Sequence, residues 1–379
     1  MELDYILQCT YSNYNYGSVL QCYATQKYLQ RYDLDCFLIS EKPTSLERVY
    51  FALKRRIEYK LLSLKYKDII EEKNKMLQAN KMSALSIDSN SLFEIEQFIE
   101  RNIKVKKCSF AELIKLSYDN RCKMCLAGSD QIWNTSRVYI NPIYFLTFAP
   151  AKKRVAFAPS FGAKTIRAYN VKRYQRLLEQ FSKLSCREES GKDMITKLIK
   201  KDSTVIMDPV FLLSREEWGN LAESNTDNTL IEKYVFAFFL DEPNTNAVKT
   251  LKELNHKGYK IETIGYDHKS YHNDTFDVIS HEGGPELFLK LIKNAEYIMT
   301  DSFHATAFAS IFQKRFAVYK RQYSGDDQSE RLLDFLTKTK LIHRYEPSIS
   351  QNIEELDFSE MIKLINDNVI TVKQYLDLN

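Results

Sequence analysis

Short apolar runs alternate with longer stretches of helical periodicity along the chain, the pattern of an α/β protein. "DYILQCT" (4–10) predicts a first buried strand. The loop "YSNYNYG" then leads into a helix from Ser18 through "VLQCYATQKYLQ". "CFLIS", "KMCLAG", "KRVAFAPS", "KLSCR" and "STVIMD" predict further strands, with helices between 170 and 200. Together they make a first βα domain over residues 1–215. The segment 208–233, "DPVFLLSREEWGNLAESNTDNTLIEK", reads as a linker, with Asp-Pro in front and a polar cluster near its end. The pattern then restarts with "YVFAFFL", apolar at every position. A helix over 244–256, the strand "YKIETIG", the helix "ELFLKLIKNA", the strand "EYIMT", the apolar helix in "FHATAFASIF" and the strand "RFAVYK" give a second domain over 230–345. The last segment, 346–379, predicts a helix packing back on the first domain.

Two Rossmann-like domains facing a cleft follow from this order. Ligands of open α/β sheets bind beyond the carboxyl ends of the strands, so the loops after the strands are where chemistry belongs. The 379 residues exceed one ordinary core, which agrees with two domains. High aromatic content, 24 Tyr and 22 Phe, fits packed cores first and ring-lined sugar grooves second.

A net charge of +4 is too mild for a nucleic-acid partner and compatible with a small anionic substrate. The first residues carry acids where a secretion signal has basic groups, and no run approaches the about 18 apolar residues of a membrane span. These features predict a reduced, cytoplasmic protein. The pair Cys122 and Cys125 has no second pair to close a metal site and reads as small residues at a strand entrance. Residues 48–67, "RVYFALKRRIEYKLLSLKYK", form a basic amphipathic pattern. That pattern suits peripheral contact with the inner face of a membrane, or a solvated surface helix covering the sheet.

No glycine-rich dinucleotide fingerprint, P-loop, nucleophile elbow or zinc-protease motif is present. All six histidines lie at position 256 or later. One of them, His304, falls in the first turn of the helix after "YIMT", where free N–H groups and the helix dipole attract anions. It can cap the helix, hold a phosphate or act as a general acid. "GSDQIWN" (128–134) after another strand offers Asp130, Gln131 and Trp133 as a polar pocket with an aromatic platform. "SCREESG" (185–191) sets Arg187 at a strand end and Glu188 at a helix start. Each could instead be an ordinary turn with an exposed charge. Gly17, in the loop entering the first helix, permits close backbone approach.

"NYGSVLQCYA", "GSDQIWN", "RVAFAPSFG", "SCREESG", "VIMDPVFLL", "YIMTDSFHATAFASIF" and "ERLLDFL" occur in this order. The ordered set resembles the polysaccharide pyruvyl transferase family, from about residue 5 to 340. One departure is Ala305, where related sequences often carry glycine. The resemblance implies a GT-B-like pair of domains and transfer of pyruvate from phosphoenolpyruvate to hydroxyls of a cell-surface or secreted polysaccharide sugar, or its precursor. The product is expected as a ketal, with phosphate released. Phosphoenolpyruvate is then a co-substrate and no further cofactor is expected; the acceptor is a saccharide, free or lipid-linked.

On that implication Arg187 binds the donor carboxylate or phosphate, while His304 and the N–H groups of Ser302 and Phe303 hold the phosphate. Lys320 and Arg331 are further donor candidates, against a surface lysine and a structural salt bridge. His304 and Asp130 are the candidate catalytic residues, as acid and base, with Asp301 a weaker alternative. Asn15, Gly17, Gln131 and Trp133 are the acceptor-side candidates. The competing readings are a GT-B glycosyltransferase using a nucleotide sugar and a non-catalytic carbohydrate-binding or scaffold protein.

Overall fold

The computed structural model describes residues 4–11, 15–67, 69–71, 73–74, 87–135, 137–226, 233–272, 277–322, 330–347 and 355–378. Positions 12–14 of the first loop and 227–232 of the expected linker lie outside them.

The first sheet is parallel, in the order β3-β2-β1-β4-β5, with β1 (Tyr5–Gln8), β2 (Cys36–Glu41), β3 (Val105–Cys108), β4 (Met124–Ala127) and β5 (Arg154–Ala156). Between these strands run α1 (Tyr16–Gln30), α2 (Ser45–Lys65), α3 (Ser89–Asn102) and α4 (Phe110–Tyr118). After α5 (Val171–Leu178), a short pair continues the layer: β6 (Ser185–Cys186) lies beside β7 (Thr204–Val205), with α6 (Glu189–Ile199) between them. A bridge from Val155 to Lys183 ties that pair to β5.

Residues 208–233 are more than a linker. They hold a buried 3-10 turn at Pro209–Leu212 and a helix, α7 (Arg215–Glu223), closed by a Ser214–Glu217 capping box. Trp218 on α7 is fully buried, stands edge-on to Phe308, lies against Tyr23 and donates its indole N–H to the Val210 carbonyl. The polar flanks hide this apolar anchor in the sequence.

The second sheet repeats the first: β10-β9-β8-β11-β12, all parallel. Its strands are β8 (Tyr234–Phe238), β9 (Lys260–Ile264), β10 (Val278–His281), β11 (Tyr297–Thr300) and β12 (Arg315–Val318). The helices are α8 (Thr245–His256), α9 (Pro285–Asn294), α10 (Phe303–Ile311) and α11 (Glu330–Lys338). In each sheet the order reverses beside the central strand, at β1/β4 and at β8/β11, and a crevice opens there at the strands' carboxyl ends.

The two halves share apolar packing. Tyr16 of α1 stacks on Phe288 of α9 at 5.0 Å and donates its hydroxyl to the Gly283 carbonyl, 2.9 Å away. One core cluster runs from Tyr5 through Phe236 and Phe308 to Leu378. The last helix, α12 (Ser359–Tyr375), returns to the first half: Tyr375 donates to the Ala156 carbonyl, and Asn368 accepts from the Met207 N–H.

Candidate functional site

The residues that meet between the halves come from the carboxyl ends of strands. After β4 the chain turns at Asp130, whose φ of 65° is left-handed, a conformation that costs an aspartate less than most residues. Ser160 N–H donates to the Asp130 carbonyl at 2.8 Å and fixes the turn. The Asp130 carboxylate faces Arg331 from the start of α11 (Nη1 to Oδ1, 3.0 Å) and accepts the Ser18 hydroxyl at 2.8 Å. Arg187 Nη1 stands 3.9 Å from it. Burial works to raise the pKa of this carboxyl, but Arg331, Arg187, His304 and the Ser18 hydroxyl outweigh it and hold the group below the usual carboxylate range.

Arg187 follows β6 and is 5% exposed. Its Nη2 reaches both Asp208 Oδ2 and Ser129 Oγ at 2.5 Å. Its Nε and Nη1 are buried without a hydrogen-bond acceptor. The guanidinium lies over Phe303 at 5.1 Å, and that of Arg331 lies over the same ring at 5.6 Å. Phe303 thus gathers two cations at one place.

Asp208 follows β7, is fully buried, and caps the 3-10 turn by accepting from Val210 N–H. His304 Nε2 stands 3.3 Å from its Oδ2. For Asp208 too, burial works upward and is outweighed by Arg187 and His304, so the carboxyl is held low. Against the other edge of the imidazole sits Gly17, where a β-carbon would come within 2.2 Å of the ring. Glycine at 17 is the condition for His304 to occupy this place.

Two neighbours behave oppositely. Glu188 is buried, accepts from Ser160 Oγ and leaves Oε2 unbonded; burial pushes its carboxyl up. Burial also raises Asp301, whose oxygens accept from Leu240 N–H at 2.7 Å and Asp241 N–H at 3.1 Å. Those bonds brace the end of β8, so Asp301 is part of the frame.

Arg187, Arg331, Asp130, Phe303 and His304 therefore converge, and Gly17 abuts them. Gln131, with its amide oxygen turned toward Arg331, accepts from Nε at 3.2 Å and Nη2 at 2.9 Å, so it positions a donor-side cation. Asn15 caps α1 by accepting from Ser18 N–H, next to the hydroxyl that binds Asp130.

Three expectations need correction. Trp133 is no sugar platform: it is fully buried, stacked on Phe145 at 5.3 Å, with its N–H bonded to the Tyr144 carbonyl. The Ser302 N–H already donates to Thr300 Oγ1 at 2.9 Å, while the Ser302 side chain caps α10 at Ala305 N–H. Lys320 is exposed on the outer side, its N–H bonded to Glu346. The following residue, Arg321, is the one turned inward, with Nε 3.3 Å from the Asp301 carbonyl. The extra methyl of Ala305 is accommodated in full burial within α10.

Sequence reasoning missed Asp208, Arg321, Ser18 and Ser129. Asp208 stood in plain view in "MDPV", but Asp-Pro also marks a turn, and only the fold brings it to Arg187 and His304.

The model of the family described as polysaccharide pyruvyl transferase matches residues 15–323. The chain belongs to this family. Every convergent residue named above except Arg331 lies inside the matched span, and the family identifies the protein as a pyruvyl transferase. A search of curated proteins finds no match. Among solved structures, the Neisseria meningitidis UDP-GlcNAc 2-epimerase bound to UDP-GlcNAc is similar at 12% identity and TM-score 0.51, over 98% of this chain and 99% of that one. The Methanocaldococcus jannaschii UDP-GlcNAc 2-epimerase in complex with UDP-GlcNAc and UDP matches at 13% identity and TM-score 0.44, over 98% and 100%. The E. coli ADP-heptose LPS heptosyltransferase II matches at 11% and 0.39, over 97% and 99%. The pyruvyl transferase chain has a GT-B-like fold. Among the described residues, no helix is long and apolar enough to cross a membrane.

Proposed function

We propose that this pyruvyl transferase takes its pyruvate from phosphoenolpyruvate and delivers it to hydroxyls of a saccharide acceptor as a ketal. One observation carries the reading: Arg187 offers two buried, unaccepted N–H donors beside Arg331 and His304. Buried donors without partners are costly, and a ligand with two anionic groups would satisfy them.

In this reading Arg187 and Arg331 bind the carboxylate and phosphate. Asp208, 3.3 Å from Nε2, holds the His304 ring in place, and His304 supplies a proton to the enol carbon. A sugar hydroxyl forms a bond to C2 and passes its proton to the imidazole that has just given one up. A second hydroxyl then displaces phosphate, whose C–O bond breaks with the electron pair leaving on oxygen, and the departing phosphate takes that hydroxyl's proton. Asp130, held ionised by Arg331, is too weak a base for this and orients Arg331 and Ser18. A cavity of about 230 Å³ lies beside the arginines, bordered by Glu188, Asp208 and Phe303. The acceptor would meet the enzyme at the cytoplasmic side of the cell envelope.

Thermal shift of the purified protein with phosphoenolpyruvate, UDP, GDP and CMP tests the donor. Saturation at about 100 times the dissociation constant stabilises by about 2.7 kcal/mol. Phosphoenolpyruvate alone should raise Tm, and Arg187→Lys and His304→Asn should remove the shift. A rise with a nucleotide instead would make the reaction glycosyl transfer.

A further inference from the structure

The helix α2 is closed at its N-terminus by a Thr44–Glu47 capping box and buries none of its 21 residues fully. Its inner side rests on the body: Phe51 stands edge-on to Phe110, and Glu58 pairs with Arg173 at 2.9 Å. Its outer side is apolar. Leu46, Val49, Leu53, Ile57, Leu61 and Leu64 are between 52% and 84% exposed. At about 100° per residue these six fall on one stripe running the length of the helix. An exposed apolar stripe of this length is rare on a protein surface without a partner.

Charge identifies the partner. Lys54 and Lys65 flank the stripe on one side, Arg56 and Lys60 on the other, and all four are exposed. The two acids of the helix are engaged elsewhere: Glu47 accepts from Thr44 and Ala111 N–H groups, and Glu58 holds Arg173. A second copy of this helix would set cations against cations with no acid at the seam. An anionic surface meets them all, and long basic side chains reach headgroups while their stems stay in apolar surroundings.

We infer that α2 lies in the interface of an anionic lipid bilayer, with its leucine stripe inserted among the acyl chains and Lys54, Arg56, Lys60 and Lys65 reaching headgroup phosphates. The helix runs parallel to the membrane plane and seats the enzyme without spanning it. This inference is independent of the donor chemistry proposed above.

Flotation of the full chain with vesicles tests it, with no substrate present. Vesicles of phosphatidylcholine with 30% phosphatidylglycerol should bind about a hundredfold better than phosphatidylcholine alone in 0.1 M salt, and this preference should shrink in 0.5 M salt. Leu53→Glu/Ile57→Glu should lower binding at least about tenfold at unchanged Tm, because these side chains face outward. Lys54→Gln/Lys60→Gln should weaken binding to anionic vesicles only. Two results overturn the inference: equal recovery of the chain with and without anionic vesicles, or a dimer in sedimentation that the Leu53→Glu/Ile57→Glu variant dissolves.

Discussion

Gly17 and His304 stand in such close contact that each limits the other. In a helix, alanine at 17 should be favoured by up to about 1 kcal/mol. The 2.2 Å approach of its β-carbon to the imidazole reverses the sign. Gly17→Ala is expected to lower stability by about 1–3 kcal/mol and to lower turnover further by moving His304 off Asp208. Gly219→Ala is the control: nothing lies closer than 3.8 Å, so its Tm should rise by the equivalent of about 0.5–1 kcal/mol. Calorimetry on both variants, with turnover on the first, checks the pair.

The buried carboxyls make a pH prediction of opposite signs. Glu188 is raised, so its ionised form costs stability in the folded state. That cost is present above the raised value and is relieved as pH falls through it. Asp208 is held low, so its contribution is complete above about 3.9, the usual unfolded value, and is lost only as pH falls through the lower folded one. Glu188→Gln should therefore match or exceed the native Tm at pH 7 and lose ground as pH drops toward 4.5. A difference between the two proteins that stayed constant with pH would rule out this assignment. Arg187, Asp130 and His304 could be singled out in the sequence because unusual residue types stood at strand ends. Asp208 and Arg321 could not, since an aspartate before proline and an arginine in a loop have commoner uses. Trp133 misled for a related reason: a tryptophan next to polar residues looks like a platform until its neighbours Phe145 and Phe181 are known.

At the scale of elements, the buried central strands were legible because parallel strands covered on both faces read as apolar runs. Two of the outer strands were not. β3 is Val-Lys-Lys-Cys and β10 is Val-Ile-Ser-His, and both lie at sheet margins where charge and polarity guard an open edge. The helix α7 was hidden by its length and by polar flanks, though its Ser-x-x-Glu capping box was in the sequence. It bears on both halves through Trp218. Trp218→Phe loses the bond to the Val210 carbonyl and should cost about 1–3 kcal/mol. Trp218→Ala should cost about 3–5 kcal/mol, read as a fall in urea midpoint. If α7 were only a linker, both changes would be nearly silent.

For the whole molecule, the shared cluster and the Tyr16–Phe288 stack join the two sheets in one core. A scan of unfolding is expected to show a single transition by both heat capacity and circular dichroism, despite a length that suggests two domains. Two resolved transitions would mean that the halves melt separately. Tyr16→Ala should be the quickest way to split them, because it removes both the stack and the bond to Gly283. The return of α12 has a consequence at the ribosome. The Ala156 carbonyl meets its partner Tyr375 only after a further 219 residues have been made. Lys183 likewise waits for the Tyr375 carbonyl. The nascent first sheet must survive with one flank uncovered while that intervening stretch is translated, so the speed of elongation, as well as the final energy, bears on how much enzyme a cell obtains.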